Sequence, residues 1–285
     1  MTHVLVAGAT GVVGSRVLPL LLAAGHTVSA LLRSPAAVDG LRAAGVRPLV
    51  ADVFDRDAVK AAVTAARPDV VMHQLTSLAG GDLAANAAIR REGTRNLVDA
   101  ALAADVCRVV AQSIAWAYAA GEAPAREDEP LDVAAAEPRQ TSVLGVAALE
   151  DAVREVPEAV LLRYGLLYGP GSWYTAGGAR AADAVAGRIV ADDAVSSLLH
   201  VDDAAAAAVA ALDWPAGTVN VCDDEPAPAR DWVPAFSRSV GAPPPPQASG
   251  RAGWARGADN HHARFDLGWA PRYPSWRAGF GAAGG

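Results

Sequence analysis

Three glycines at a fixed spacing are the first residues in this sequence whose arrangement implies chemistry. Gly8-Ala9-Thr10-Gly11-Val12-Val13-Gly14 directly follows the apolar run Val4-Leu5-Val6 and opens a leucine- and alanine-rich segment with helical spacing. In that context each glycine has its own task. The first permits a tight turn, the second lets backbone amides approach pyrophosphate oxygens, and the third lets helix and strand pack closely. The helix N-terminus behind them carries partial positive charge and favours an anion. The spacing therefore predicts a dinucleotide site at Gly8, Thr10, Gly11, Val12, Val13 and Gly14, in preference to a turn that only reverses the chain.

The next strand ends Leu31-Leu32-Arg33-Ser34. A carboxylate about 20 residues beyond the glycines would accept hydrogen bonds from the free ribose diol of NAD. A guanidinium beside a hydroxyl suits a 2′-phosphate instead, so the expected cofactor is NADP(H), selected by Arg33 and Ser34; the plainer alternative is a solvated surface arginine. Asp52 and Val53, after the third strand, are expected to hold the adenine. Gln74, Leu75 and Thr76, after the fourth, are expected to line the adenosine ribose and the nicotinamide half.

The elements that must position these residues follow from periodicity. Short β-branched or leucine-rich runs predict strands at 4–7, 27–32, 47–50, 70–73, 108–111 and 159–163. Alanine-rich segments between them predict helices at 12–24, 35–44, 56–65, 83–103 and 141–153. Strict alternation of this kind predicts an α/β fold, a doubly wound parallel sheet (Rossmann fold) with a smaller C-terminal substrate-binding part. Residues 1–163 are expected to form the dinucleotide domain. Residues 164–285 are expected to be mostly a substrate-binding cap, with 198–222 returning to the core. In that part the turn Gly169-Pro170-Gly171 precedes helices expected at 178–186 and 202–212 and a strand at 218–221. A stiff proline run at 243–246 leads to a tail whose Trp254, Trp269 and Trp276 are read as packing.

Composition excludes several classes of partner. A net charge of -7 without a clustered basic face argues against nucleic acid and against an anionic membrane surface. No apolar stretch approaches the roughly 20 residues of a spanning helix, and no export signal precedes the first strand, so the expected location is cytoplasmic. Cys107 and Cys222 are far apart with no ligating neighbour, so neither a disulfide framework nor a metal site is expected; both read as buried small hydrophobes. His3 and His26 read as structural, the His261-His262 pair as helix surface, and His73 as either a cofactor-edge or a core residue. The acid pairs Asp192-Asp193 and Asp202-Asp203 read as helix-start residues.

Further motifs occur in order: Glu92-Gly93-Thr94-Arg95-Asn96-Leu97, Gln112-Ser113, Arg163-Tyr164-Gly165-Leu166-Leu167-Tyr168-Gly169-Pro170-Gly171, His200-Val201-Asp202-Asp203 and Leu267-Gly268-Trp269-Ala270-Pro271. With the glycine turn they make the chain resemble the extended short-chain dehydrogenase/reductase family over nearly its whole length. The resemblance implies NAD(P) binding in the first half, bordered by Gln112 and Tyr164, and a substrate pocket roofed by the C-terminal part. It also implies a catalytic tyrosine and lysine four residues apart on the helix after the fifth strand, with a serine or threonine from that strand. Ser113 matches the last of these. Anchoring the helix on Glu150 puts Val146 at the lysine position and Ser142 at the tyrosine position; the sole lysine is Lys60, on another helix.

In the family the lysine and the oxidised nicotinamide lower the tyrosine pKa so that it can donate a proton near neutral pH. A serine is no such acid, although Ser113 and Ser142 can each donate a hydrogen bond to developing oxyanion charge; Trp116 and Tyr118 are further protic groups near that strand's end. Hydride transfer itself needs proximity and orientation, and a substrate with its own donor, such as a phenol beside a ketone, supplies the proton. The expectation is an NADPH-dependent ketoreductase of an angucyclinone-like aromatic polyketide ketone in antibiotic biosynthesis, acting as monomer or homodimer. A sugar nucleotide epimerase or dehydratase would need the missing tyrosine. A catalytically silent NADP(H)-binding sensor fits the lost pair equally well.

Overall fold

The structure, a computed structural model, describes residues 1–77 and 81–282. Strand–helix repeats run β1 (His3–Ala7), α1 (Gly14–Ala23), β2 (Thr27–Leu32), α2 (Val38–Ala43), β3 (Arg47–Val50), α3 (Arg56–Ala66) and β4 (Val70–His73). They continue with α4 (Leu83–Ala88), α5 (Thr94–Ala103), β5 (Arg108–Ile114), α6 (Arg139–Val153) and β6 (Glu158–Tyr164). With the later β10 (Gly217–Val221), seven strands form one sheet in the order β10-β6-β5-β4-β1-β2-β3. β3, β2, β1, β4 and β5 are parallel neighbours, with β1 in register from His3↔Thr27 to Ala7↔Leu31 on one side and from Val4↔Val70 to Ala7↔His73 on the other. This is the α/β Rossmann-type fold that the alternation predicts, and the direction of strand order reverses at β1, where nucleotide sites form.

Alternate residues Leu5, Val71, Val109 and Ala111 present one face of the sheet to Val59 and Val63 of α3, Leu97 and Val98 of α5, and Leu149 and Val153 of α6. Local chemistry starts the helices on that face. The Asp55 side chain accepts from the Ala58 amide at 3.0 Å to cap α3, and Asp82 accepts from Ala85 at 2.9 Å to cap α4. The long helix expected over 83–103 is one run, interrupted by a π-helical turn, Ile89–Gly93, between α4 and α5. Gly93 lies where a Cβ would come within 3.0 Å of Val53 Cγ1, so this turn sits hard against the end of β3.

The chain divides into two compact units, one of residues 1–113, 133–162 and 205–218, the other of 114–132, 163–204 and 219–285. The second contains β7 (Leu166–Tyr168), α7 (Ala179–Val185), β8 (Val195–Ser196), β9 (Leu198–His200), β11 (Ala227–Pro228), α9 (Ala229–Ser239) and α10 (Trp276–Ala282). β7 and β9 pair in parallel, β8 and β11 antiparallel. Helix α8 (Val201–Ala210) leads from this unit back into the first. Tyr168, Trp232, Phe236, Trp276 and Phe280 form the second unit's aromatic core.

Several expectations are corrected here. Cys107 is exposed, because it precedes β5 beyond the last covered turn, and only Cys222 is a buried hydrophobe. Asp203 starts α8 yet is 3% exposed, its carboxylate accepting from the Arg272 and Tyr273 amides. Asp193 lies in a loop, where it pairs with Arg230 and accepts from the Gly250 amide. Trp269 and Trp276 are packing residues, but Trp254 is 36% exposed. Among the described residues no helix is long and apolar enough to cross a membrane.

Candidate functional site

The glycine turn is sterically exacting. Gly8 has φ +90°, and a Cβ on it would stand 2.4 Å from the Gln74 carbonyl oxygen; a Cβ on Gly14 would stand 2.1 Å from the Gly8 carbonyl oxygen. The Gly11 amide donates to Gly8 O at 3.0 Å, and Ser15 N donates to Gly11 O at 2.9 Å, which close the turn. Thr10 and Gly11 form an exposed crest, while Val13 and Gly14 are buried beneath it. Val13 caps α1 with no side-chain hydrogen bond, so no side chain competes for the positive helix end. A pyrophosphate fits this cradle, whose opening any Cβ at Gly8 or Gly14 would disturb.

Arg33 and Ser34 are exposed just past β2, and Arg33 has no ion-pair partner among the described residues. Asp52 is half-buried and accepts from the Phe54 amide at 3.0 Å. Val53 is buried, its carbonyl accepting from Asn96 Nδ2 at 2.9 Å. The motif around Gly93 is thereby explained structurally: Gly93 makes room for Val53, Asn96 holds its carbonyl, and Thr94 Oγ1 meets His73 Nε2 at 2.8 Å. His73 Nδ1 accepts from the Leu75 amide at 3.2 Å. His73 is thus a core residue, and burial, helped by the charge of Arg90, lowers its pKa to about 4. Gln74 and Gln112 are buried, while Leu75 and Thr76 are half-buried.

Helix α6 is closely packed. Ser142, which the resemblance sets at the tyrosine position, is buried, and Val146, which it sets at the lysine position, is fully buried. Gly145 lets α6 approach α4, since a Cβ there would lie 3.1 Å from Ala87 Cα. Ser113, expected to donate to a reacting group, donates to α6 in this structure. Strand alternation puts it on the same face as Val109 and Ala111, toward α6. There its hydroxyl donates to Glu150 Oε1 at 2.7 Å, and Glu150 Oε2 accepts from Arg154 at 2.7 Å.

The second unit contains a cavity of about 300 Å³ whose walls include Trp116, Tyr174, Trp232 and Trp254 with Leu166 and Val195. Tyr174 meets the Trp232 ring edge-on at 5.6 Å, and burial pushes the Tyr174 phenol above its ordinary pKa. Of the aromatic residues singled out from sequence, Trp116 lines this cavity. Tyr118 is buried, with its hydroxyl donating to Asn220 Oδ1 at 2.6 Å and the Arg163 guanidinium 4.6 Å over its ring; burial raises its pKa as well. Tyr164, expected at the cofactor's edge, is buried with its hydroxyl donating to Ala204 O at 3.2 Å. Sequence reasoning missed Trp232 because it did not predict α9, which carries it, and Tyr174 because it lies between β7 and α7, outside any predicted element.

The sequence profile of the NAD dependent epimerase/dehydratase family matches residues 4–222. A Streptomyces protein named 3-diazoavenalumate denitrifying reductase is 47% identical over 306 residues, covering 98% of this chain and 99% of that protein. Among solved structures, that of gox2253 has a TM-score of 0.79 at 22% identity, covering 99% of this chain and 97% of the other. UDP-glucose 4-epimerase of Thermotoga maritima with UDP-glucose has a TM-score of 0.76 at 19% identity, covering 98% and 97%. The Bordetella bronchiseptica enzyme WbmH in complex with NAD+ has a TM-score of 0.74 at 21% identity, covering 93% and 91%. The solved structures share the fold; the profile and the Streptomyces relative go further, and the chain belongs to the NAD-dependent epimerase/dehydratase family, as an oxidoreductase of its nicotinamide-dinucleotide-binding fold.

Proposed function

We propose that the chain is an NADPH-dependent reductase of a planar aromatic substrate whose electrophilic centre needs no protein acid. Helix α6 carries this reading: it keeps Gly145 and Glu150 in place while Ser142 and Val146 stand where a proton-donating tyrosine and its lysine would be. The glycine turn holds the pyrophosphate, Arg33 and Ser34 take the 2′-phosphate, and Trp116, Tyr174, Trp232 and Trp254 offer flat apolar walls to an aromatic ring. When bound, the reduced nicotinamide supplies a hydride. An aryl diazonium accepts a hydride at its outer nitrogen, and the aryl diazene so formed releases dinitrogen while its hydrogen passes to the ring carbon, so no protein proton is consumed. The Streptomyces relative is named for the reduction of a diazo compound, which favours this acceptor. A ketone flanked by a phenol, as in an angucyclinone-like aromatic polyketide, meets the same requirement, because its alkoxide takes the phenolic proton.

The test follows NADPH absorbance with the purified protein against diazotised 3-amino-4-hydroxybenzoate, phenol-flanked polycyclic ketones, simple ketones and sugar nucleotides. Turnover of the diazo compound with release of dinitrogen is the expected result. Turnover of phenol-flanked ketones alone moves the assignment to a ketoreductase. NADPH binding without turnover of any of them overturns the enzyme reading in favour of a nucleotide sensor.

A further inference from the structure

Among the arginines buried in this molecule, Arg90 differs from the others. Arg256, 4% exposed, donates to the Ala119 and Ala123 carbonyls and pairs with Glu129; Arg163, 3% exposed, donates to Glu127 O and lies over Tyr118. Arg90 is 6% exposed, and no hydrogen bond or ion pair among the described residues holds its guanidinium. It occupies the second position of the π-helical turn Ile89–Gly93, a distortion that turns up often at functional sites. A buried cation without a partner among the described residues is costly, and burial lowers this one to a pKa of about 10, which still leaves it charged at neutral pH. No carboxylate among the described residues pairs with it: His73 on β4 is neutral, and Val146 on α6, which packs against the same turn, is apolar.

The charges of the dinucleotide are met elsewhere. Its pyrophosphate belongs to the α1 N-terminus behind β1 and its 2′-phosphate to Arg33 behind β2, whereas Arg90 stands by β4, which pairs with β1 on the side away from β2. We infer that Arg90 binds an anionic oxygen of the substrate, a phenolate or carboxylate carried on its aromatic framework, and is the cation of a site whose helix α6 has lost its lysine. Identifying the anion as substrate rests on the reductase reading; the existence of the anion site does not.

The experiment titrates the protein–NADP+ complex with 4-hydroxycinnamate and with the neutral methyl 4-methoxycinnamate, in wild type, Arg90→Met and Arg90→Lys. Wild type is expected to prefer the carboxylate. Arg90→Met should lose about tenfold or more of that affinity, with ester binding and NADPH affinity unchanged, and Arg90→Lys should recover part of it. Arg90→Met should also melt no lower than wild type without ligand, since no described residue pairs with the cation it removes; if it fails to fold, Arg90→Gln takes its place in the titration. Equal carboxylate affinity in wild type and variant, a matching loss of NADPH affinity, or no carboxylate preference in wild type would each overturn the inference. Arginine-dependent carboxylate binding without turnover of any diazo compound or ketone would support the anion site while removing the reductase reading.

Discussion

The glycine turn between β1 and α1 and the helix α6 belong to the same unit and are both built on close backbone approach, yet they have opposite chemical content. At the turn, the atoms that crowd Gly8 and Gly14 are backbone atoms of Gln74 and Gly8, which cannot swing away. In the proposed reading geometry and function coincide there, because the residues that close the turn are those that would expose amides to a phosphate. On α6 the tightness survives at Gly145, and Glu150 still ties the helix to β5 through Ser113, but in the proposed reading the side chains at Ser142 and Val146 do no acid–base work. A fold can hold its cofactor half under strict steric control while the catalytic half drifts, since packing constrains backbones and small residues far more than it constrains the identity of a side chain one helical turn away.

The largest effect that would sharpen this contrast comes from Gly14→Ala. With a Cβ 2.1 Å from a carbonyl oxygen, the variant should lose about 3 kcal/mol or more of stability in urea denaturation and all measurable NADPH binding. Gly145→Ala on α6, with 3.1 Å to Ala87 Cα, should cost about 1 kcal/mol and leave NADPH binding intact; equal costs at the two sites would break the comparison.

Next in size is a pH effect from beside the turn. His73 has a folded pKa of about 4 against an ordinary value of 6.5. Above pH 6.5 both folded and unfolded chains carry it neutral and its contribution to stability is full. As pH falls from 6.5 toward 4 the unfolded chain takes up a proton that the folded chain refuses, so stability should drop by about 3 kcal/mol over that window. His73→Gln should flatten this part of the stability profile, and an unchanged slope in the variant would assign the titration to other groups.

Arg33→Asp should weaken NADPH about tenfold to hundredfold, the scale of a lost charge-assisted contact, and leave NADH little changed; equal losses for both nucleotides would show that Arg33 reads no phosphate. The smallest effects are expected on α6 and β5. Ser142→Ala and Ser113→Ala should each reduce kcat by less than the roughly hundredfold that removal of a general acid brings, and loss of all turnover from either would restore an indispensable serine to the site.

The first half of the chain was legible because its signals are local. β2, β3 and β4 end where strand periodicity ends, and the glycines, Asp55 and Asp82 mark starts through contacts within a few residues. Beyond Tyr164 the sequence yields less. β7, β8, β9 and β11 have two or three residues each, too short for a period to register, and α9 carries Pro234 inside it, which reads as a break. The fate of Ser113 illustrates the other limit. Its residue type and position match a catalytic serine, but which face of β5 it occupies depends on the strand running on to Ile114 and on Glu150 arriving from α6. Arg90 was invisible for a related reason: an arginine in a polar helix stretch reads as solvated until packing shows it enclosed.

The anchoring of the C-terminal segment bears on how the chain is made. The Asp203 carboxylate takes the amides of Arg272 and Tyr273, and Asp223 takes that of Trp276 at 2.8 Å. The second unit draws on three separated stretches, 114–132, 163–204 and 219–285, so on the ribosome its aromatic core waits, open, until Trp276 and Phe280 have been added. The first unit has nearly all of its strands well before then. A polypeptide cut before Ser275 would be able to form its nucleotide turn but would leave Tyr168 and Phe236 without Trp276 and Phe280, a product that chaperones and proteases would meet before any cofactor did.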